Sequence, residues 1–325
     1  MRKVQGLATA CDLVLHLETK TAVRIGSGTY MSVRRLSLLM VLAFAVSSTG
    51  YSAPASPPPH IHRSKSDADI NAIGHRRIEH GPNLYSSERE KEIGKMLAEE
   101  TERSYKFVND PAIIEYIERV AQNLAKNSDA QMPITVAVID SDDVNAFTLP
   151  GGYQYVSRGL LLELEGDAEL ASVIARGIAH TALRSATMLA TKGGITNMAI
   201  TPAAKVATGD STGTAASQAV LVQIALMRRE DEMDADYFGV QYMYKAGYDP
   251  KGLMNLVQRI GNASSSPDRE VFEPLRSFPP VDERLAALRK EISTILPPQP
   301  DAVVSTPEFD EFKARLRARN SEPRK

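Results

Sequence analysis

The sequence predicts a mostly helical α+β domain with one small β-sheet. Several stretches carry apolar residues every three to four positions, the spacing of one helix face, as in Ile113, Ile117, Val120 and Leu124. Only two short runs, ITVAVID at 134–140 and the Tyr153, Tyr155, Val156 segment, are β-branched or aromatic enough to form strands. With 43% hydrophobic residues in 325, the chain can bury one sizeable core.

The elements follow in order. From Met31 the chain has a basic pair, Arg34 and Arg35, an apolar run from Leu36 to Val46, and small residues ending at Ala53-Pro54-Ala55. This is the three-part shape of a secretory signal peptide, and the apolar run is too short to span a bilayer. Residues 1–30 are therefore expected to be an over-called start, 31–55 a signal peptide, and the product a soluble periplasmic or secreted protein with no membrane span. The single cysteine, Cys11, lies upstream, so neither disulfides nor a lipid-modified cysteine is expected. Residues 56–84, rich in Pro, Ser and charge, read as a linker or extended arm, 85–317 as the folded domain and 318–325 as a tail.

Ser87 and Glu90 have capping-box spacing ahead of a helix to about Tyr105, and Asp110-Pro111 marks a second helix start. Pro150, Gly151 and Gly152 predict a turn into the second strand. A helix is expected from about Asp167 to Leu189, and a small, polar connection after it reads as a flap. A long helix from about Ala216 to Ala246 should stop at Gly247, with further helices near 251–260, 282–292 and 307–316. Tyr237, Tyr242 and Tyr244 at helical spacing read as packing. Net charge is -2 with both signs mixed along the chain, which argues against a nucleic-acid partner.

The chemical question lies in ELASVIARGIAHTALRSA, residues 169–186. Side chains four apart share a helix face, so an H-E-x-x-H helix presents two imidazoles to one zinc ion with a glutamate beside the bound water. The metal lowers the water's pKa and polarises a carbonyl, while the glutamate takes the proton. This helix keeps that frame but reads Arg176, Gly177 and His180.

Together with NLYSSEREKEIGKMLAEE, DSDDVNAFTLPGGYQYVSRGLL, DEMDADYFGVQYMYKAGYDP and SFPPVDERL, it makes the chain resemble the zinc metallopeptidases of peptidase family M48, especially soluble exported bacterial members. The resemblance runs from about Asp69 to Leu316 and implies a zincin-like domain, with the sheet packed on an active-site helix pair and zinc as the family cofactor. It places His180 at the second histidine, Arg176 at the first and Gly177 at the general base. Asp234 falls at the glutamate ligand, Asp236 at the aspartate supporting a ligand, and Phe278 and Ser185 where members often have histidines. It also implies a substrate cleft along Asn145, Ala146, Phe147, Gly151 and Gly152, where an extended peptide can pair with a strand edge.

After residue 80 the only histidine is His180, whereas a catalytic zinc needs three protein ligands and an open position. No bound zinc is therefore expected. Arg176 is expected to replace the metal electrostatically, forking to Asp234 or Asp236 while His180 packs alongside. His60 and His62 read as solvent-exposed arm residues, with an arm folding back to supply ligands as the alternative. The leading expectation is a proteolytically inactive homologue that binds extended polypeptide as a chaperone-like envelope protein. Its rivals are a working metalloendopeptidase with an atypical metal site and a structural subunit.

Overall fold

The computed structural model describes residues 22–25, 29–32, 64–79, 81–192, 229–264 and 279–320. It divides into Met1–His60 and Ile61–Lys325. In the first unit, β1 (Ala22–Ile25) pairs antiparallel with β2 (Thr29–Ser32). The rest of the presumed extra start and signal peptide, with His60 and His62, lies outside the described residues, as do 193–228, Phe278 and 321–325.

The second unit is mostly helical with one three-stranded mixed sheet, as expected. Of the segment expected to be a linker or extended arm, the described residues 64–79 pack against the domain. Two short 3-10 turns, Lys65–Ala68 and Ile70–Ala72, lead to Arg76, which is buried. Arg76 donates to Asp129 at 2.6 Å and to Gln241 at 2.7 Å, and Tyr242 donates to the same aspartate at 2.9 Å. A charge-dense stretch looks solvated in sequence; here its arginine finds a buried carboxylate 53 residues away.

Helix α1 (Ser87–Ser104) is capped by Ser86, whose side chain accepts from the Arg89 N–H at 3.1 Å, one residue earlier than expected. Glu90 forms no capping box because it is drawn inward to Arg184 and Thr187. Helix α2 (Pro111–Lys126) starts as expected, with Asp110 accepting from Ala112 and Ile113. Its face of Ile113, Ile117, Val120 and Leu124 is buried.

The sheet has the order β3 (Thr135–Ile139), β5 (Tyr153–Ser157), β4 (Ala146–Leu149), parallel on the first side and antiparallel on the second. Pro150, Gly151 and Gly152 make the turn between β4 and β5. Gly152 has φ +91°, and a Cβ there would lie 2.0 Å from the Pro133 carbonyl oxygen, so only glycine fits. The strand runs straight into a short helix that the periodicity did not reveal, α3 (Arg158–Glu163), capped by Ser157.

The helix expected to reach Leu189 breaks. Helix α4 spans Asp167–Ala182, Arg184 takes φ +53°, and a separate helix, α5 (Ser185–Lys192), follows. The break is tertiary in origin, because Arg184 donates to Glu90 at 2.6 Å and to the Tyr85 carbonyl at 2.7 Å. Helices α6 (Arg229–Lys245), α7 (Lys251–Ser264), α8 (Val281–Thr294) and α9 (Pro307–Asn320) are the remaining helices among the described residues. Gly247 ends α6 with φ +88°, and the portion of that helix expected before Arg229 lies outside the described residues.

Helix α4 is the centre of the core. Its Leu170, Ala171, Ile174, Ala175, Ile178 and Ala179 are fully buried, and α6, α7 and α2 pack around it. The small residues let α6 come close, with Gly239 against the backbone of Arg176. Tyr237 and Tyr242 are buried in this packing and Tyr244 is partly so. No helix among the described residues is long and apolar enough to cross a membrane.

Candidate active site

Arg176 and His180 lie four residues apart on α4 and project toward α6. There Glu232 and Asp236, also four apart, share the facing stripe. Arg176 donates through Nε to Asp236 at 2.7 Å and through Nη2 to Glu232. The His180 Nε2 stands 3.7 Å from Glu232 Oε1, while its Nδ1 is 3.2 Å from the hydroxyl of Ser185 at the start of α5. From α8, Arg284 forks onto the same aspartate, at 2.7 Å to Oδ2 and 2.9 Å to Oδ1.

The sequence register set Asp234 opposite Arg176 and His180, but the structure puts Glu232 there. Residues two apart on a helix point to nearly opposite sides, so Asp234 cannot share the stripe of Asp236, whereas Glu232 must. The expected pairing of Arg176 with Asp236 holds. Glu232 and Arg284 were missed, although the four-residue spacing of Glu232 and Asp236 was a usable signal. Arg284 had none, because α8 is distant in sequence.

Burial pushes His180 below its ordinary 6.5, and Arg176 adds to this against the opposing pull of Glu232. Burial alone would raise Glu232 and Asp236, but it is outweighed: Arg176 holds Glu232 below 4.5, and Arg284 with Arg176 holds Asp236 below 3.8. Burial opposes the Arg176 charge too, yet Asp236 and Glu232 keep it protonated.

Each of the three depressed groups contributes stability that is complete above its unfolded value and is lost as pH falls through its folded value. Thermal melts should therefore show stability falling from about pH 6.5 on account of His180, then more steeply below about 4.5 as the carboxylates take protons. A flat profile from pH 7 to 4 would contradict this electrostatic assignment.

Gly177, beside Arg176, faces the sheet. A Cβ on it would lie 2.5 Å from the carboxamide of Gln154 on β5 and 2.8 Å from the Thr148 hydroxyl on β4. Of the residues expected to line a cleft, Ala146 and Phe147 lie on β4, with Asn145 just before it. Among the described residues β4 pairs only with β5, so its outer side is a sheet edge. Phe147 stacks on Tyr155, with ring centroids 5.0 Å apart, on the side of the sheet away from α4. Gly151 and Gly152 do not line an open groove: both are buried, against α1 and Pro133 respectively, and they shape the turn.

Among the described residues, those at this site do not fit a zinc ion. His180 and Glu232 are the two donors that face one another, and a guanidinium, which has no lone pair to give, already occupies the Glu232 carboxylate. Among the described residues no group of three His, Cys, Asp or Glu is arranged to hold a metal.

A family model described as Peptidase family M48 matches residues 111–292, from the first residue of α2 into α8 and more than half of the chain. The Putative beta-barrel assembly-enhancing protease of Vibrio cholerae is 30% identical over 195 residues, covering 54% of this chain and 40% of that protein. The Beta-barrel assembly-enhancing protease of Escherichia coli is 25% identical over 242 residues, 70% of this chain and 48% of that one. The Mitochondrial metalloendopeptidase OMA1 of Schizosaccharomyces pombe is 30% identical over 153 residues, 46% and 44% of the two chains. The match thus spans less than half the length of each of these relatives.

Proposed function

The chain belongs to peptidase family M48, and from that premise we propose that it is a non-hydrolysing member which binds extended polypeptide. The observation that carries this is the bidentate hold of Arg176 on Glu232 and Asp236. In an H-E-x-x-H frame that position supplies an imidazole to the metal; here it supplies a fixed positive charge paired with the carboxylates. Gly177 removes the general base as well, a loss worth roughly 100-fold to 10,000-fold in rate by itself. Family membership transfers the fold, whereas activity depends on the site.

What remains is a sheet edge. The outer side of β4 can add one more strand by main-chain hydrogen bonds, a mode that needs no metal and little sequence preference. Two relatives carry names that speak of β-barrel assembly. We place this chain in the same setting, as an exported, chaperone-like protein that holds extended segments of envelope proteins. The apolar run after Arg34 and Arg35 supports export. In this reading Asp236 and Arg284 tie α4, α6 and α8 together in place of a metal, and no zinc is bound.

A second reading, a metalloendopeptidase with an atypical site, draws on the juxtaposition of His180 and Glu232. Metal analysis of protein purified without a histidine tag, with casein cleavage measured with and without chelator, separates the two. We expect substoichiometric zinc, no chelator-sensitive cleavage, and saturable binding of a fluorescent extended peptide. Stoichiometric zinc with chelator-sensitive cleavage would overturn the proposal.

A further inference from the structure

We propose that Gln154 and Gly177 are a coupled pair that seals the general-base position, so hydrolysis is blocked by substitutions on two elements rather than one. This rests on the reading of the cleft as non-hydrolysing and names the residue, Gln154, that keeps it so. Gln154 on β5 is in register with Thr148 on β4, and both side chains rise from the same face of the sheet toward α4. An ideal Cβ at position 177 would stand 2.5 Å from both Cδ and Oε1 of Gln154 and 2.8 Å from Oγ1 of Thr148. Real Cβ atoms do not approach so closely, so any side chain at 177 must first displace these neighbours.

The two neighbours differ in how far they can yield. The Thr148 hydroxyl sits on a β-branched side chain close to the backbone and has little freedom. The Gln154 carboxamide is at the end of a flexible chain, but the residue is only 3% exposed, so leaving means displacing packed atoms. Its Nε2 is buried with no hydrogen-bond partner among the described residues. Buried amides are normally satisfied. An amide held here without that compensation is filling volume, the volume a side chain on residue 177 would need. Restoring a glutamate at 177 therefore requires shortening Gln154, which no inspection of α4 alone would suggest.

The test is a double-mutant cycle read by thermal melting without metal: wild type, Gly177→Glu, Gln154→Ala, and both together. Gly177→Glu alone should lower Tm by roughly 3–8 °C through overpacking, Gln154→Ala alone should shift it by less, and the double variant should recover most of the loss. Additive shifts would overturn the coupling. The same changes in an Arg176→His background, assayed for casein cleavage, carry the idea to chemistry. Cleavage that appears only when Gln154 is shortened supports the seal, and cleavage by Arg176→His with Gly177→Glu alone overturns it. Chelator-sensitive cleavage by wild type would instead sink the non-hydrolysing reading, while the melting cycle would still decide the packing claim.

Discussion

Arg176→Ala should destabilise the folded protein by about 3–5 kcal/mol, because it leaves Glu232 facing His180 without its cation in a mostly buried site. The lower part of that range applies, since Arg284 still holds Asp236 with two hydrogen bonds and only Glu232 loses its main partner. The side chains of Arg176 and Glu232 are 17% and 19% exposed, so solvent screens the stranded carboxylate only partly. For a domain of this size the loss corresponds to a fall in Tm of roughly 6–12 °C. Arg176→Lys should recover little, because one ammonium cannot fork to carboxylates a helical turn apart as a guanidinium does. A melt of Arg176→Ala within about 2 °C of wild type would show that the cluster does not hold the helices, removing the structural role assigned to it.

Asp129→Ala is expected to cost a similar ~3–5 kcal/mol by a different route. Asp129 accepts from Arg76, Tyr242 and the Gly74 N–H, and the Arg76 and Asp129 side chains are 1% and 0% exposed. Without the carboxylate the guanidinium's remaining hydrogen bonds among the described residues go to the Asp67 carbonyl and the Gln241 side chain. The segment 64–79 should then loosen from the helices, so limited trypsin digestion should cut near Arg76 and Arg77 faster than in wild type. Unchanged digestion together with an unchanged melt would mean that this segment is held by something other than the buried ion pair.

Much of the fold was legible locally. The Asp110-Pro111 start, the apolar face of α2, the Pro150-Gly151-Gly152 turn and the Gly247 stop each depend on residues within one turn of each other, and each stands where the pattern put it. The capping of α1 slipped by a residue because Glu90, free to reach back in an isolated helix, is claimed by Arg184 from 94 residues away. The break at Arg184 was illegible for the same reason. The periodicity through Leu189 is sound, and only the partners of one side chain end the helix.

The site divides in the same way. That position 176 has no imidazole and 177 no carboxylate, and that one histidine remains after residue 80, can be read from the chain directly; no folding can supply absent atoms. Tertiary structure decided which carboxylate meets Arg176, that Arg284 joins it, and that Gln154 stands over Gly177. The physical reason is rotational phase: local pattern specifies a helix and its apolar stripe, but which residue of a polar stripe faces a given neighbour is set by packing between elements far apart in the chain.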